Sequence, residues 1–500
     1  MNLGMLLDLA ADGLGDRIAF GSKTDGLSYA RIRELASAAA PGLGASGADT
    51  LALLDETGPA VPVALFAAAW AGMSYAPLNY KFQPDYVRQL LDRLGDTFVV
   101  YGREFHAALS GTGEVAVEEA ETWLNELGKG GGGEPYADEP SRPAVLLFTS
   151  GTSAAPKAAV LEHDHLLAYI LNSVEFGSAG EDQAVLLSVP PFHIAGVAGV
   201  LSAIYAGRRI VPLPRFTPED WVRMARDEGV THAMVVPTML DRIVACMEAD
   251  SKLRVPTMRN LVYGGARMPV PVLERALELF PEAGFVNAYG LTETSSTVAL
   301  LGPDDHRQAL ASDDPDVRAR LGSVGRPLPA IEMQVVDDDG AALPPGEVGR
   351  LRIAGPQVAG NYMDDSAKAT DDSGWLITGD LASIDGEGYV FIKGRADDVI
   401  IKGGENLSPS EIEDTLLRHP DVTAAAVVGI PDEEWGEVIA AMITVRAGAS
   451  PDTAELADFV KGRIGSLKTP GTIHIREELP MTPTGKILRR AIRDELSVPK

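Results

Sequence analysis

Short apolar runs alternate with helically spaced segments along most of this 500-residue chain, and that alternation leaves few folds open. AVLLFTS at 144–150, AVLLSVP at 184–190, RIVPLP at 209–214, HAMVVP at 232–237 and LVYGG at 261–265 are each followed by a plausible helix. Runs of this kind are apolar on both faces, as strands are when helices cover both sides of a parallel sheet, and together they suggest a second parallel layer that opens with the run at 144–150. The same rhythm fills residues 1–127, with strands TLALLD at 50–55 and TFVVYG at 97–102 and helices SYARIRELASAA at 28–39 and QPDYVRQLLDRLG at 83–95. The uncharged stretch 57–80 is long enough to span a bilayer, but Ala, Gly and Pro dominate it. VALFAAAWAGM at 63–73 therefore reads as a buried helix turning into a strand, SYAPLNY at 74–80.

Two changes of pattern divide the chain. The segment 128–143, GKGGGGEPYADEPSRP, cannot pack and reads as a mobile surface loop. Beyond Ile331 hairpins take over, in IEMQVVDDDGAALPPGEVGRLRIAG at 331–355 and LASIDGEGYVFIKGR at 381–395, where Asp-Gly and Gly-Glu-Gly mark turns. The last hundred or so residues read helix, strand, strand, helix, strand, a small α+β module. The expected fold class is α/β: a large N-terminal domain of layered α/β sheets plus a β-rich subdomain, with a small C-terminal α+β domain.

An excess of 71 acidic over 43 basic side chains, a formal charge of −28, argues against a nucleic-acid partner. One cysteine, Cys246, can form neither an internal disulfide nor a Cys-based zinc cage. The N-terminus lacks a basic flank and places Asp8 in its apolar stretch, so it fails as a signal peptide. A cytoplasmic protein without a transmembrane segment is the expectation. Three attractive signals are set aside. Gly42, Gly44 and Gly47 fit a dinucleotide fingerprint but follow a helix and precede a strand, and read as a loop. His163 and His165 read as a helix N-terminal turn rather than a zinc site, and Asp337 to Asp339 before Gly340 as a hairpin turn.

After the strand AVLLF comes Thr149-Ser150-Gly151-Thr152-Ser153-Ala154-Ala155-Pro156-Lys157. Hydroxyls, backbone N–H groups and one lysine, placed between a strand and the helix candidate that follows, suit a polyphosphate. It is not a Walker A loop, because Pro156 stands where that pattern has its last glycine. Downstream lie Tyr289-Gly290-Leu291-Thr292-Glu293-Thr294, Thr378-Gly379-Asp380, Gly394-Arg395-Ala396-Asp397-Asp398, Lys402-Gly403-Gly404-Glu405-Asn406 and Pro483-Thr484-Gly485-Lys486. In order and spacing the six blocks resemble the adenylate-forming superfamily of acyl-CoA synthetases, peptide-synthetase adenylation domains and luciferases, over nearly the whole chain.

The resemblance implies roles residue by residue. Thr149, Ser150, Gly151, Thr152, Ser153 and Lys157 match the phosphate loop, and Gly264, Gly265 and Ala266 the turn against the adenine. Tyr289, Gly290 and Thr292 match the next nucleotide-contacting block, with Glu293 the magnesium-binding carboxylate. Asp380 stands at a strand end as the acceptor of the ribose hydroxyls, with Arg395 its partner across a hairpin. Lys486 matches the lysine that reaches the carboxylate and α-phosphate during adenylation, and His193 a position at the mouth of the acyl and thiol channel. Asp397 matches the hinge between domains 1–396 and 397–500, which makes the C-terminal domain a mobile lid, and Lys402, Gly403 and Gly404 the thiol-acceptor region. On the residues alone, a histidine between Phe192 and Ile194 is more often a packed core residue, and without the other blocks the Asp380–Arg395 pair would read as a surface ion pair.

The implied reaction is a two-step ligation. A carboxylic acid, expected to be fatty, and Mg-ATP give acyl-AMP and pyrophosphate, and a thiol then displaces AMP. ATP, Mg2+ and coenzyme A are the implied cofactors, with the phosphopantetheine of an acyl carrier protein the alternative acceptor and a non-catalytic nucleotide-binding protein on the same fold the alternative from another class. Two departures stand out: Ala154 and Ala158 replace common glycines of the phosphate loop, and Lys402 replaces a common small hydroxyl residue.

Overall fold

The computed structural model describes the chain apart from residues 111–115, 130–141, 150–156, 251, 364–368, 433, 447, 483–486 and 498–500. Most of the glycine-rich segment 128–143 therefore lies outside the described residues. Two large sheets dominate. The first has seven strands, in the order Asn361–Tyr362, Lys157–Leu161, Val145–Thr149, Ser74–Pro77, Thr50–Leu54, Thr97–Tyr101 and Ala116–Glu119. Its last five strands run parallel, and the first two pair antiparallel at the edge. The second has nine, with Gly284–Leu291, Asn260–Gly264, His232–Val235, Ala184–Leu187, Arg209–Pro212 and Ile18–Phe20 parallel at its centre.

Helices packed between these sheets make the main core. In the helix Ala60–Ala71 every residue from Ala60 to Trp70 is buried, because helices and strands surround it on all sides. A helix that touches no water has no need of a polar face, which is why 57–80 carries no charge. No described helix is long and apolar enough to cross a membrane. The hairpins beyond Ile331 form a four-stranded antiparallel sheet of Glu332–Val336, Gly349–Ala354, Leu376–Ile384 and Val390–Arg395. A three-residue turn, Ala396–Asp398, then leads to Ile400–Lys402, which belongs to the five-stranded sheet of the small C-terminal domain.

Three expectations need correction. The run at 144–150 does not open the second layer, nor does a helix follow its loop directly: Val145–Thr149 pairs antiparallel with Lys157–Leu161, and the helix starts only at His163. Ala158 and Ala159 are fully buried small residues that suit an inner strand, and Ala158, opposite Phe148, has no positive φ, so it needs no glycine there. Gly42 and Gly44 sit inside the helix Tyr29–Ala45 rather than in a loop, because the buried stripe of Ile32, Leu35, Ala36, Ala39 and Leu43 outweighs a glycine cost of about 1 kcal/mol each. Of that trio only Gly47 turns left-handed, at φ 77°. Asp380 lies within the strand Leu376–Ile384, not at its end. The histidine and aspartate readings hold: His163 and His165 occupy the first turn of a helix, where their Nδ1 atoms accept the Leu3 and Glu162 N–H groups, and Asp337 and Gly340 form a hairpin turn.

Asp55 follows the strand Thr50–Leu54 and accepts the Glu56 N–H at 2.8 Å. Burial pushes its carboxyl up to about 6, with smaller upward contributions from Glu104 and Glu56 opposing that hydrogen bond. A carboxyl raised on folding favours the folded state below its unfolded pKa, and that contribution is lost as the pH climbs through about 6. Asp55→Asn is therefore expected to raise the thermal midpoint at pH 7.5 by on the order of 1–2 °C, with the gain shrinking toward pH 5. Midpoints scanned from about pH 5 to 8 check this, since a gain that stays constant would point to packing instead of charge.

Candidate functional site

A cavity of about 590 Å³ opens where parallel strands of the nine-stranded sheet end and the C-terminal domain faces them, the place where open α/β sheets usually bind ligands. Gly265 and Ala266 follow the strand Asn260–Gly264, and Tyr289 and Gly290 lie near the end of its neighbour Gly284–Leu291; all four line the cavity. Close backbone packing dictates two glycines here. A Cβ on Gly264 would collide with the carbonyl of Ala288, and one on Gly290 with that of Ser296.

Asp380 and Arg395 line the same cavity and are register partners across a hairpin. The Tyr289 hydroxyl donates to Asp380 Oδ2 at 2.5 Å, and Arg395 Nη1 donates to Oδ1 at 3.1 Å and to the Thr378 carbonyl at 3.0 Å. Thr378 Oγ1 accepts the Asp380 N–H at 3.0 Å and donates to the Leu351 carbonyl at 3.0 Å, tying this part of the strand to its neighbour Gly349–Ala354. Burial, and then the Asp380 charge, hold the Tyr289 hydroxyl well above its ordinary pKa, so it stays a donor. Each carboxylate oxygen keeps a lone pair for a further donor, as a vicinal diol would supply.

A second cluster forms around Glu293, in the 3-10 turn Thr292–Thr294. Glu293 Oε1 accepts the Tyr362 hydroxyl at 2.6 Å, and its carbonyl accepts the Ala359 N–H at 2.7 Å. Gln357 pins the turn further by donating to the carbonyls of Thr294 and Thr297. Burial, the hydrogen bond to Glu293 and its charge push the Tyr362 hydroxyl well up. Lys157 Nζ stands 5.3 Å from the Tyr362 ring centroid, so the start of the strand after the candidate phosphate loop reaches the same place. Backbone pairing joins Thr149 to Lys157, while Ser150, Gly151, Thr152 and Ser153, with Ala154, lie outside the described residues.

The C-terminal domain presents its own groups to the cleft. Arg267, just after the Gly265-Ala266 turn, forms an ion pair with Asp414, whose carboxyl burial pushes up to about 6. Arg489 pairs with Glu413 and stands 3.4 Å from Asp398. Met481 and Ile487 bridge each other and line the cavity; Lys486, between them in sequence, lies outside the described residues. Lys402, Gly403 and Gly404 are elsewhere, at a hairpin where Gly403 donates to the Trp435 carbonyl and Lys402 Nζ to the Leu467 carbonyl at 3.2 Å. His193 is not among the cavity-lining residues: it caps the helix Ile194–Ala206, its Nδ1 accepting the Ala195 N–H at 3.2 Å. Sequence reasoning passed over Tyr362, Gln357 and the Arg267–Asp414 pair, since each belongs to the site only through a contact distant in sequence; Thr378 belongs to one of the six blocks but carried no role of its own there.

The chain matches the family described as AMP-binding enzyme over residues 7–363 and the AMP-binding enzyme C-terminal domain over 411–486. It is 32% identical to a fatty acid–[acyl-carrier-protein] ligase of Streptomyces coeruleorubidus, over 94% of this chain and 91% of that one. It is 31% identical to an indoleacetate–CoA ligase of Aromatoleum aromaticum, over 93% and 92%. Among solved structures it resembles ATP-bound MatB of Rhodopseudomonas palustris, at TM-score 0.88 and 26% identity with 99% of each chain covered. It also resembles the o-succinylbenzoate CoA synthetase of Bacillus subtilis in complex with an acyl-adenylate, at 0.85 and 27% with 99% and 98% covered.

Proposed function

The chain belongs to the adenylate-forming superfamily of AMP-binding enzymes, and from that premise we propose that it is an acid–thiol ligase. A carboxylate and Mg-ATP give acyl-AMP and pyrophosphate; a thiol then attacks the acyl carbon and AMP departs, leaving a thioester. The observation that carries this reading is the Tyr289–Asp380–Arg395 arrangement at a cavity closed by the C-terminal domain. Asp380 and Arg395 take the ribose hydroxyls, the Gly264–Ala266 turn lies against the adenine, and Thr149 to Ser153 with Lys157 take the phosphates.

A carboxylate approaching an α-phosphate meets like charge, so fixed cations at the reacting oxygens lower the barrier most. Lys486 supplies one. Mg2+ needs only one or two protein carboxylates when phosphates and water complete its shell. Glu293 fits that donor set, with no group of three ligating side chains among the described residues. When bound, the ion screens the phosphate charge.

Coenzyme A is the acceptor of the principal reading. The Streptomyces relative, named for an acyl carrier protein, favours carrier-bound phosphopantetheine as the second. The proposed acid is fatty or otherwise largely apolar, and the proposed location is the cytoplasm. Thioester products identified by mass spectrometry, from a panel of acids with Mg-ATP and either CoA or loaded carrier protein, test this. Fatty acyl-CoA with equimolar AMP is expected. Product on the carrier alone selects the second reading, and turnover of aromatic acids alone removes the fatty-acid assignment.

The lid needs to turn between steps, because Lys486 and the Lys402-Gly403-Gly404 turn serve one site from the same domain. Met481 and Ile487 at the cavity support an adenylating orientation here, with His193 and the Lys402 turn engaged afterwards. Asp397, in the turn Ala396–Asp398, is the proposed hinge. Asp397→Pro, by holding φ near −65°, is expected to keep most pyrophosphate exchange and lose most thioester formation from acyl-AMP. Equal retention of both rates would move the hinge elsewhere.

A further inference from the structure

We propose that Tyr362 is a positioning residue that presents the Glu293 carboxylate to the divalent cation accompanying the nucleotide. The inference rests on the reading of Glu293 as the cation-binding carboxylate. Its observation is separate: one hydroxyl donates to one carboxylate oxygen, Oε1, at 2.6 Å. That bond fixes the carboxylate rotation and leaves Oε2, with the remaining lone pair of Oε1, for a hard cation. Ligand carboxylates are commonly held by such a second hydrogen bond, and losing it weakens metal binding.

The backbone around Tyr362 is placed for this work. Asn361 and Tyr362 pair with Val160 and Ala159 on the strand that begins at Lys157, and the Met363 N–H donates to the Ala158 carbonyl at 2.9 Å. On the other side Ala359 donates to the Glu293 carbonyl. Residues 359–363 thus bracket the Glu293 turn against the end of the phosphate-loop hairpin, and the Tyr362 ring lies beneath the Lys157 ammonium. A tyrosine held on both sides loses little further freedom when its hydroxyl bonds the carboxylate. Hydroxyl and ring have separable tasks: the first orients an anion, the second offers a cation a π face.

Tyr362→Phe removes the hydroxyl and keeps the ring, so it isolates the first task. Mn2+ affinity is measured by electron paramagnetic resonance in the presence of a non-hydrolysable ATP analogue. The Phe variant is expected to bind Mn2+ roughly 10-fold more weakly, while binding of the analogue without divalent cation is unchanged. In turnover, the Mg2+ concentration for half-maximal rate should rise by a similar factor, with the rate recovered at saturating Mg2+. Unchanged Mn2+ affinity in Tyr362→Phe overturns the proposal. Glu293→Gln separates the two claims: if it too binds Mn2+ like the parent, Glu293 is not the cation ligand and the underlying reading fails with it.

Discussion

Lys486→Ala is expected to slow acyl-AMP formation by about 10²–10³-fold, the usual cost of removing one group aimed at developing charge, without unfolding the protein. In sequence, the Pro483-Thr484-Gly485 run ahead of the lysine is rich in turn-favouring residues. Met481 and Ile487 on either side both line the cavity that holds Asp380 and Arg395. In the proposed role the positive charge acts on the attacking carboxylate and the α-phosphate, so its loss should fall on kcat for pyrophosphate release more than on nucleotide affinity. Thioester formation from supplied acyl-AMP involves no such attack and should fall far less. Pyrophosphate release near the parent rate would remove Lys486 from the mechanism.

Asp380→Ala carries the second large effect. In the parent its carboxylate accepts from both the Tyr289 hydroxyl and Arg395 while it is 6% exposed. The alanine variant loses the proposed ribose acceptor and leaves two donors without their partner. Hydrogen bonds to charged groups contribute about 1.5–3 kcal/mol each, so KM for ATP should rise on the order of 10²-fold. Asp380→Asn keeps an acceptor oxygen and should fall between. Titration with ATP in the absence of acid reads the loss directly, and a thermal midpoint separates it from unfolding. An alanine variant with parental ATP affinity would make the trio a purely structural ion-pair network.

Much of the candidate site is legible in the chain because most of its parts sit at or near ends and turns of elements that sequence pattern announces, with Asp380 inside its strand the exception. Tyr289 and the Gly264-Gly265 turn follow apolar runs, and Asp380 and Arg395 flank a hairpin marked by Gly386 and Gly388. What was misread depended on pairing partners. KAAVL at 157–161 has no alternation to mark it as a strand; it becomes one because Val145–Thr149 offers an edge. Tyr362 sits in a two-residue strand, too short for any periodic signal, and its role lies in a hydroxyl contact 69 positions away. The cleft pairs likewise join residues distant in sequence: Arg267–Asp414 meets only where the two domains pack, and Arg489–Glu413 only where two helices of the C-terminal domain meet. His193 kept both readings open in sequence; the structure gives it a helix cap, which neither requires nor opposes a place beside the thiol channel.

The central claim is that this cavity activates a carboxylic acid as its adenylate. Exchange of labelled pyrophosphate into ATP, measured without any thiol, tests it most directly, because the exchange occurs only if the first step runs and reverses on the enzyme. The account predicts exchange that depends on both an acid and Mg2+, appears for a subset of a broad acid panel, and falls by about 10² or more in Lys486→Ala. ATP binding with no acid-dependent exchange for any member of the panel would contradict it and leave a nucleotide-binding protein on an enzyme's fold.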